Sequence, residues 1–195
     1  MAFATEQELV DCAIRHFPVR EWLQVPDDAR VFQRTEVQGL FGIPDLLVAA
    51  RPDAEIGDGV SIASIAFEMK LSDWRRGLAQ AFRYRSFAKS TFLVIDDSRS
   101  RQAVANLERF QRANVGLIGL NTDGIFQVYV WPEQEEPFSR DLCHALITIV
   151  GVANLSPWRR TCQRPDRNEQ KTKRKRRHCP GWSWFFIRLK NTRRK

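Results

Sequence analysis

Apolar positions recur along this chain with two periods, and each change of period marks an element. Leu9, Cys12, Ala13 and Phe17 follow helical spacing, with Thr5 as N-cap and Glu8 three residues later, so a helix is expected over residues 6–17, closed by Pro18. Past the Pro26-Asp27-Asp28 loop, residues 30–38 are rich in Val, Phe and Thr and read as a strand. Gly39 and Gly42 turn it into a second apolar run, 43–50, and the polar turn at 51–59 leads to a third, 61–70, completing a three-strand meander. Trp74, Leu78, Ala81 and Phe82 stripe a helix over 74–89 that Ser72 or Asp73 can cap. Residues 91–95 form a continuous apolar run of the buried, central kind. A helix over 100–114, a buried strand over 115–120, a turn at 121–124, an alternating strand over 125–131 and a last helix over 138–152 follow. The fold class is α/β.

The third strand ends in charge. Its sequence, S-I-A-S-I-A-F-E-M-K, is apolar up to Glu68 and Lys70, which share a face because side chains two apart along a strand do, while Met69 takes the other. Pro44 and Asp45 open the strand before it, so a hairpin between the two runs brings Asp45 beside Glu68. Two carboxylates and an ammonium then converge. The competing reading is an exposed strand end with solvated charges. Glu169-Gln170-Lys171 has the same form in polar sequence and carries no weight, since such tripeptides arise by composition alone. Glu68-Met69-Lys70 differs because it closes an apolar strand, follows a Pro-Asp and precedes a basic amphipathic helix.

Charge divides the chain. The 195 residues carry +8, with Lys+Arg 31 against Asp+Glu 23. Residues 158–195 hold 15 basic and 2 acidic groups, a net of +13, and the remaining 16 against 21 leave the body at −5. One domain over 1–157 is expected, followed by a basic, flexible tail over 158–195. Lys171, Lys173 and Arg174 lead its densest cationic block and are expected on nucleic-acid phosphates; K-T-K-R-K-R-R also reads as a nuclear targeting signal. The aromatic stretch 181–187 suits base stacking, a membrane surface or packing against the body. Cys12, Cys143, Cys162 and Cys179 form no CxxC pair, and His16, His144 and His178 lack partners at diagnostic spacing, so neither a disulfide framework nor a zinc site is indicated. No P-loop or dinucleotide-binding glycine pattern supports ATP-driven or dehydrogenase chemistry. The N-terminus lacks a signal-peptide pattern and the longest apolar stretch, 145–153, is too short to span a bilayer. A cytoplasmic, soluble protein is expected.

With Pro44-Asp45 and Glu68-Met69-Lys70 in that setting, residues 5–120 resemble the PD-(D/E)xK nuclease superfamily in their order of helix, three strands, helix and strand. The resemblance implies a restriction-endonuclease-like core in which Asp45 and Glu68 hold Mg²⁺, or Mn²⁺, with Lys70 beside the metal. A glutamate of the first helix often joins such sites. Glu8 is the best placed, with Glu6 second, although the capping box is the other use of Glu8. Gln80, with Tyr84 a turn later, fits the glutamine and tyrosine many members carry on the helix after the lysine strand. The chemistry agrees independently: phosphodiester hydrolysis needs phosphate charge neutralised and a water activated, and an oxygen-ligated Mg²⁺ does both with few carboxylates. Lys70 can orient or help deprotonate that water, and Met69 can offer its carbonyl. Arg75, Arg76 and Arg83 form the basic side of the helix and are expected on the nucleic-acid backbone, solvated helix charge being the alternative. The expected function is a Mg²⁺-dependent nuclease of restriction-endonuclease type hydrolysing DNA phosphodiesters, with endo or exo action and a homodimer left open. Two other readings are a catalytically inactive nucleic-acid-binding module of the same fold and an interaction protein with a basic targeting tail. Nothing in the shared core accounts for that tail.

Overall fold

The computed structural model describes residues 2–51 and 62–149, all within the first of two units of the chain, Met1–Ser156. The basic tail with Lys171, Lys173 and Arg174, its aromatic end, and nearly all of the turn at 51–59 lie outside the described residues. Thr5 caps α1 (Glu6–His16): its Oγ1 accepts from Glu8 N at 3.2 Å, and Glu8 Oε2 accepts from Ala4 N at 2.9 Å. A five-residue helix, α2 (Val19–Leu23), follows Pro18 and ends at Gln24 in the left-handed region. It was not expected, because so short a helix shows no periodicity.

β1 (Arg30–Thr35), β2 (Leu46–Arg51) and β3 (Ala63–Lys70) form the antiparallel meander. α3 (Trp74–Tyr84) crosses over to β4 (Ser90–Asp96), which runs parallel to β3. A 3-10 turn, Asp97–Arg99, then α4 (Arg101–Val104) and α5 (Leu107–Ala113) lead to β5 (Gly116–Leu120), parallel to β4. β6 (Phe126–Val130) returns antiparallel to β5, and α6 (Arg140–Ile149) closes the described chain. The result is one six-stranded mixed sheet in the order β1-β2-β3-β4-β5-β6.

Alternation along the strands builds a core on each face. Val48, Ile65, Phe67, Met69, Phe92 and Val94 pack under α1 and α2 with Leu9, Cys12, Ala13 and Leu23. Leu47, Ala49 and Ala66 lie on the opposite face with Tyr84, Leu146 and Ile147, and further along it Leu93, Ile95 and Leu117 pack with Trp74, Ala81 and Phe110. β4 is buried along its whole length, as a central parallel strand requires. Among the described residues no helix is long and apolar enough to cross a membrane.

Several boundaries differ from the pattern. The strand expected over 30–38 stops at Thr35, because Glu36 turns left-handed. The one expected from Ile43 begins at Leu46, since Ile43 gives its carbonyl to Tyr84 and Pro44 has no N–H for a ladder. The helix expected to reach Lys89 ends at Tyr84, after which the chain turns to bury Phe87 and Ala88. The single helix expected over 100–114 is two helices that break at Ala105 and Asn106, where Asn106 Nδ2 donates to Gln102 O at 2.8 Å and competes with the ladder.

Candidate active site

Strand pairing performs the first step of assembly. Leu46 faces Phe67 in the β2–β3 ladder, so Asp45, one position earlier, comes level with Glu68 near the C-terminal end of β3. Asp45 Oδ2 accepts the Met69 N–H at 2.6 Å. Lys70 Nζ lies 2.7 Å from Glu68 Oε1, 3.2 Å from Glu6 Oε2 and 4.0 Å from Asp45 Oδ2, and donates to Met69 O at 2.7 Å. Three carboxylates and one carbonyl thus surround one ammonium. Glu68 and Lys70 are buried, whereas the Asp45 and Glu6 side chains remain 28% and 47% exposed, so the cluster opens to solvent on their side.

α3 forms the other wall. Asp73 Oδ1 caps it by accepting from Arg76 N at 3.2 Å. Gly77 then lets the helix close on the sheet: a Cβ there would meet Leu93 Cδ1 at 2.5 Å and Lys70 Cγ at 2.9 Å. Two turns on, the Tyr84 hydroxyl donates to Glu68 Oε2 and lies 2.8 Å from Ile43 O, a second acceptor for the same proton, tying helix, β3 and the approach to Asp45 together. Gln80 sits between Gly77 and Tyr84 on the same helix face, by its spacing of three and four residues. Its Oε1 is shut off from solvent and finds no hydrogen-bond partner. Arg75, Arg76 and Arg83 are exposed on α3; Arg75 stacks over the Trp74 ring at 4.7 Å, and Arg83 is close enough to act electrostatically on Tyr84.

Crowded acids set the electrostatics. Burial raises the Asp45 pKa from 3.8 to about 6; the Met69 N–H and Lys70 oppose the rise, while Glu68 and Glu6 add to it. Burial works against the Lys70 ammonium, yet its hydrogen bond to Glu68 and the charges of Glu68, Asp45 and Glu6 outweigh that, so its pKa stands above the ordinary lysine value. Burial, then Glu68, push the Tyr84 phenol upward as well and keep it a donor.

The structure therefore brings together Asp45, Glu68 and Lys70, with Gln80 on the adjoining helix face. From α1 it is Glu6 that reaches Lys70, while Glu8 is spent on the cap. Gly77 had no signal in the sequence beyond being a glycine inside a helical pattern.

The donor set suits a hard dication. Asp45, Glu68, Glu6 and the Met69 carbonyl offer only oxygen, the ligand type Mg²⁺ and Mn²⁺ take, and their negative charge exceeds what Lys70 balances. Among the described residues no three His, Cys, Asp or Glu side chains already converge on one ion position; the acidic oxygens converge on Lys70 Nζ instead. Comparison with family models, with curated proteins and with solved structures finds no match to this chain.

Proposed function

We propose that this chain is a Mg²⁺-dependent nuclease of the PD-(D/E)xK kind, with a restriction-endonuclease-like core, hydrolysing DNA phosphodiester bonds. The observation that carries the proposal is the convergence of Asp45 with Glu68 and Lys70, from two separate stretches of sequence, at the C-terminal end of β3, where the cluster opens to solvent on the Asp45 side. Asp45, Glu68 and the Met69 carbonyl would hold Mg²⁺ or Mn²⁺, with Glu6 as the α1 carboxylate in reach. The metal would neutralise phosphate charge and lower the pKa of the attacking water. Lys70, held on its strand by Glu68 and Met69 O, stabilises charge building on the phosphate and orients the water. Tyr84 fixes the Glu68 carboxylate, and Gln80 Oε1, which finds no partner, can accept from a bound water. Arg76 and Arg83 supply positive charge on the same helix.

A second reading follows from the same ammonium. With Lys70 Nζ already 2.7 Å from both Glu68 Oε1 and Met69 O, the lysine can serve as the resident cation of an ion-pair cluster in an inactive nucleic-acid-binding module. Incubating the protein with linear, circular and single-stranded DNA and with RNA, in Mg²⁺ or in EDTA, separates the two. The nuclease cleaves DNA only with metal and loses cleavage in Asp45→Ala; metal-independent binding without cleavage would establish the module.

A further inference from the structure

Two large apolar side chains stand in water on the loop that leads into this cluster. Phe41 is 58% and Ile43 52% exposed, on the loop that leads directly through Pro44 into Asp45. The loop is held, not merely exposed. Gly42 takes φ +102°, and a Cβ there would sit 2.8 Å from Tyr84 Cε1, so its backbone passes close against the tyrosine ring. The Tyr84 hydroxyl that donates to Glu68 also lies 2.8 Å from Ile43 O. Glu36 N donates to Asp45 O at 3.4 Å and closes the base of the loop. The same tyrosine therefore positions both the acidic centre and the loop that bears Phe41 and Ile43.

Apolar side chains beside a phosphate-handling site have a natural counterpart in bases. Arg76 and Arg83 on α3 provide charge for the backbone, and an aromatic ring with a branched aliphatic neighbour provides a surface on which an unstacked base can lie. A continuous duplex exposes such a base face only after a step is unstacked, at a cost of about a few kcal/mol, whereas a single strand offers it without that cost. Resting on the nuclease reading above, we propose that Phe41 and Ile43 form a base-stacking wedge, and that the preferred substrate is single-stranded DNA rather than continuous duplex.

The test uses the full chain in EDTA and an oligodeoxynucleotide carrying 2-aminopurine, offered as a single strand and as a perfect duplex. Fluorescence anisotropy should show the single strand bound about tenfold tighter or more, with 2-aminopurine quenched by stacking on the protein. Phe41→Ala should erase most of the difference and the quenching, and Phe41→Trp should restore both. Equal affinity for the two forms, or a preference untouched by Phe41→Ala, overturns the wedge. Conversion of a dimer to a monomer by Phe41→Ala, without change in the single-strand preference, also overturns it and assigns the pair to an interface between copies. Cleavage in Mg²⁺ is scored separately. Equal cutting of both forms keeps the nuclease and discards the wedge, while single-strand preference without cutting keeps the wedge on a binding module.

Discussion

Lys70 and Asp45 carry opposite charges in one cluster, and their removal should have unlike effects. Asp45→Ala or Glu68→Ala deletes an oxygen donor, so both Mg²⁺ binding and turnover should be lost. Lys70→Ala deletes a cation that competes for the same oxygens, so Mg²⁺ should bind as well or better while cleavage falls by two orders of magnitude or more, roughly 2.7 kcal/mol of transition-state stabilisation. Calorimetric Mg²⁺ titration beside single-turnover cleavage reads the split, and equal, mild effects in all three variants would sink the catalytic assignment. Asp45 also predicts a pH dependence of the metal-free fold. Its folded pKa, about 6, lies above the ordinary 3.8, so between these values the folded state binds more protons than the unfolded one. Stability should therefore fall as pH rises from about 4 through about 6. Asn at this position keeps an acceptor for the Met69 N–H and removes the buried charge. In EDTA, Asp45→Asn should stabilise the protein at pH 7 by on the order of 2 kcal/mol and by almost nothing at pH 4. Urea melts at the two pH values decide it; a variant less stable than wild type at pH 7 would refute the burial cost.

Helix α3 sets how tightly the cluster is closed, and Gly77 is where that closeness is decided. Alanine is the better helix former by about 1 kcal/mol, which alone would stabilise the protein. The added methyl, however, would press on Leu93 and on the Lys70 stem, an overpacking cost of about 1–3 kcal/mol. Packing should win, so Gly77→Ala should lower the melting temperature and, by displacing Lys70, slow cleavage more than it destabilises the fold; an unchanged or raised melting temperature would show that α3 shifts freely. This contact was not legible in the sequence, where a helix glycine reads only as a propensity cost. Asp45, Glu68 and Lys70 were legible because strand alternation and hairpin pairing bring them together with no knowledge of packing. The choice of Glu6 over Glu8 was half legible. Two positions apart on a helix they face different ways, and the capping box claimed Glu8, but the reach of Glu6 to Lys70 depends on how α1 lies across the sheet. The six strands followed from apolar runs, whereas the end of β1 depended on one backbone dihedral at Glu36, the end of α3 on a turn that buries Phe87 and Ala88, and the break at Asn106 on one side-chain hydrogen bond, none of which periodicity registers.

For the molecule as a whole, the strongest sequence feature is the contrast between a body of −5 and a segment of +13 at residues 158–195. Counterion release makes duplex binding weaken with salt at a log-log slope of about −0.9 per phosphate neutralised. A variant ending at residue 157 should show a flatter slope than the full chain and retain metal-dependent cleavage at low salt. Identical slopes would move that segment to the targeting role.

β2 ends at Arg51 and β3 begins at Ala63, both at the end of their strands far from Asp45 and Lys70, since β3 rises about 3.3 Å per residue along its 8 residues to Lys70. A chain break between β2 and β3 would put Glu6 and Asp45 on one piece and Glu68, Lys70, Gln80 and Tyr84 on the other. Neither piece holds a complete set, and the ladder from Leu46↔Phe67 to Ala50↔Ala63 is what would rejoin them. Cleavage should then rise with the concentration of the second piece and saturate at the level of the intact chain. Fused to two proteins that meet in a cell, the pieces would report the encounter by cutting a DNA probe, turning a strand pairing into a proximity sensor.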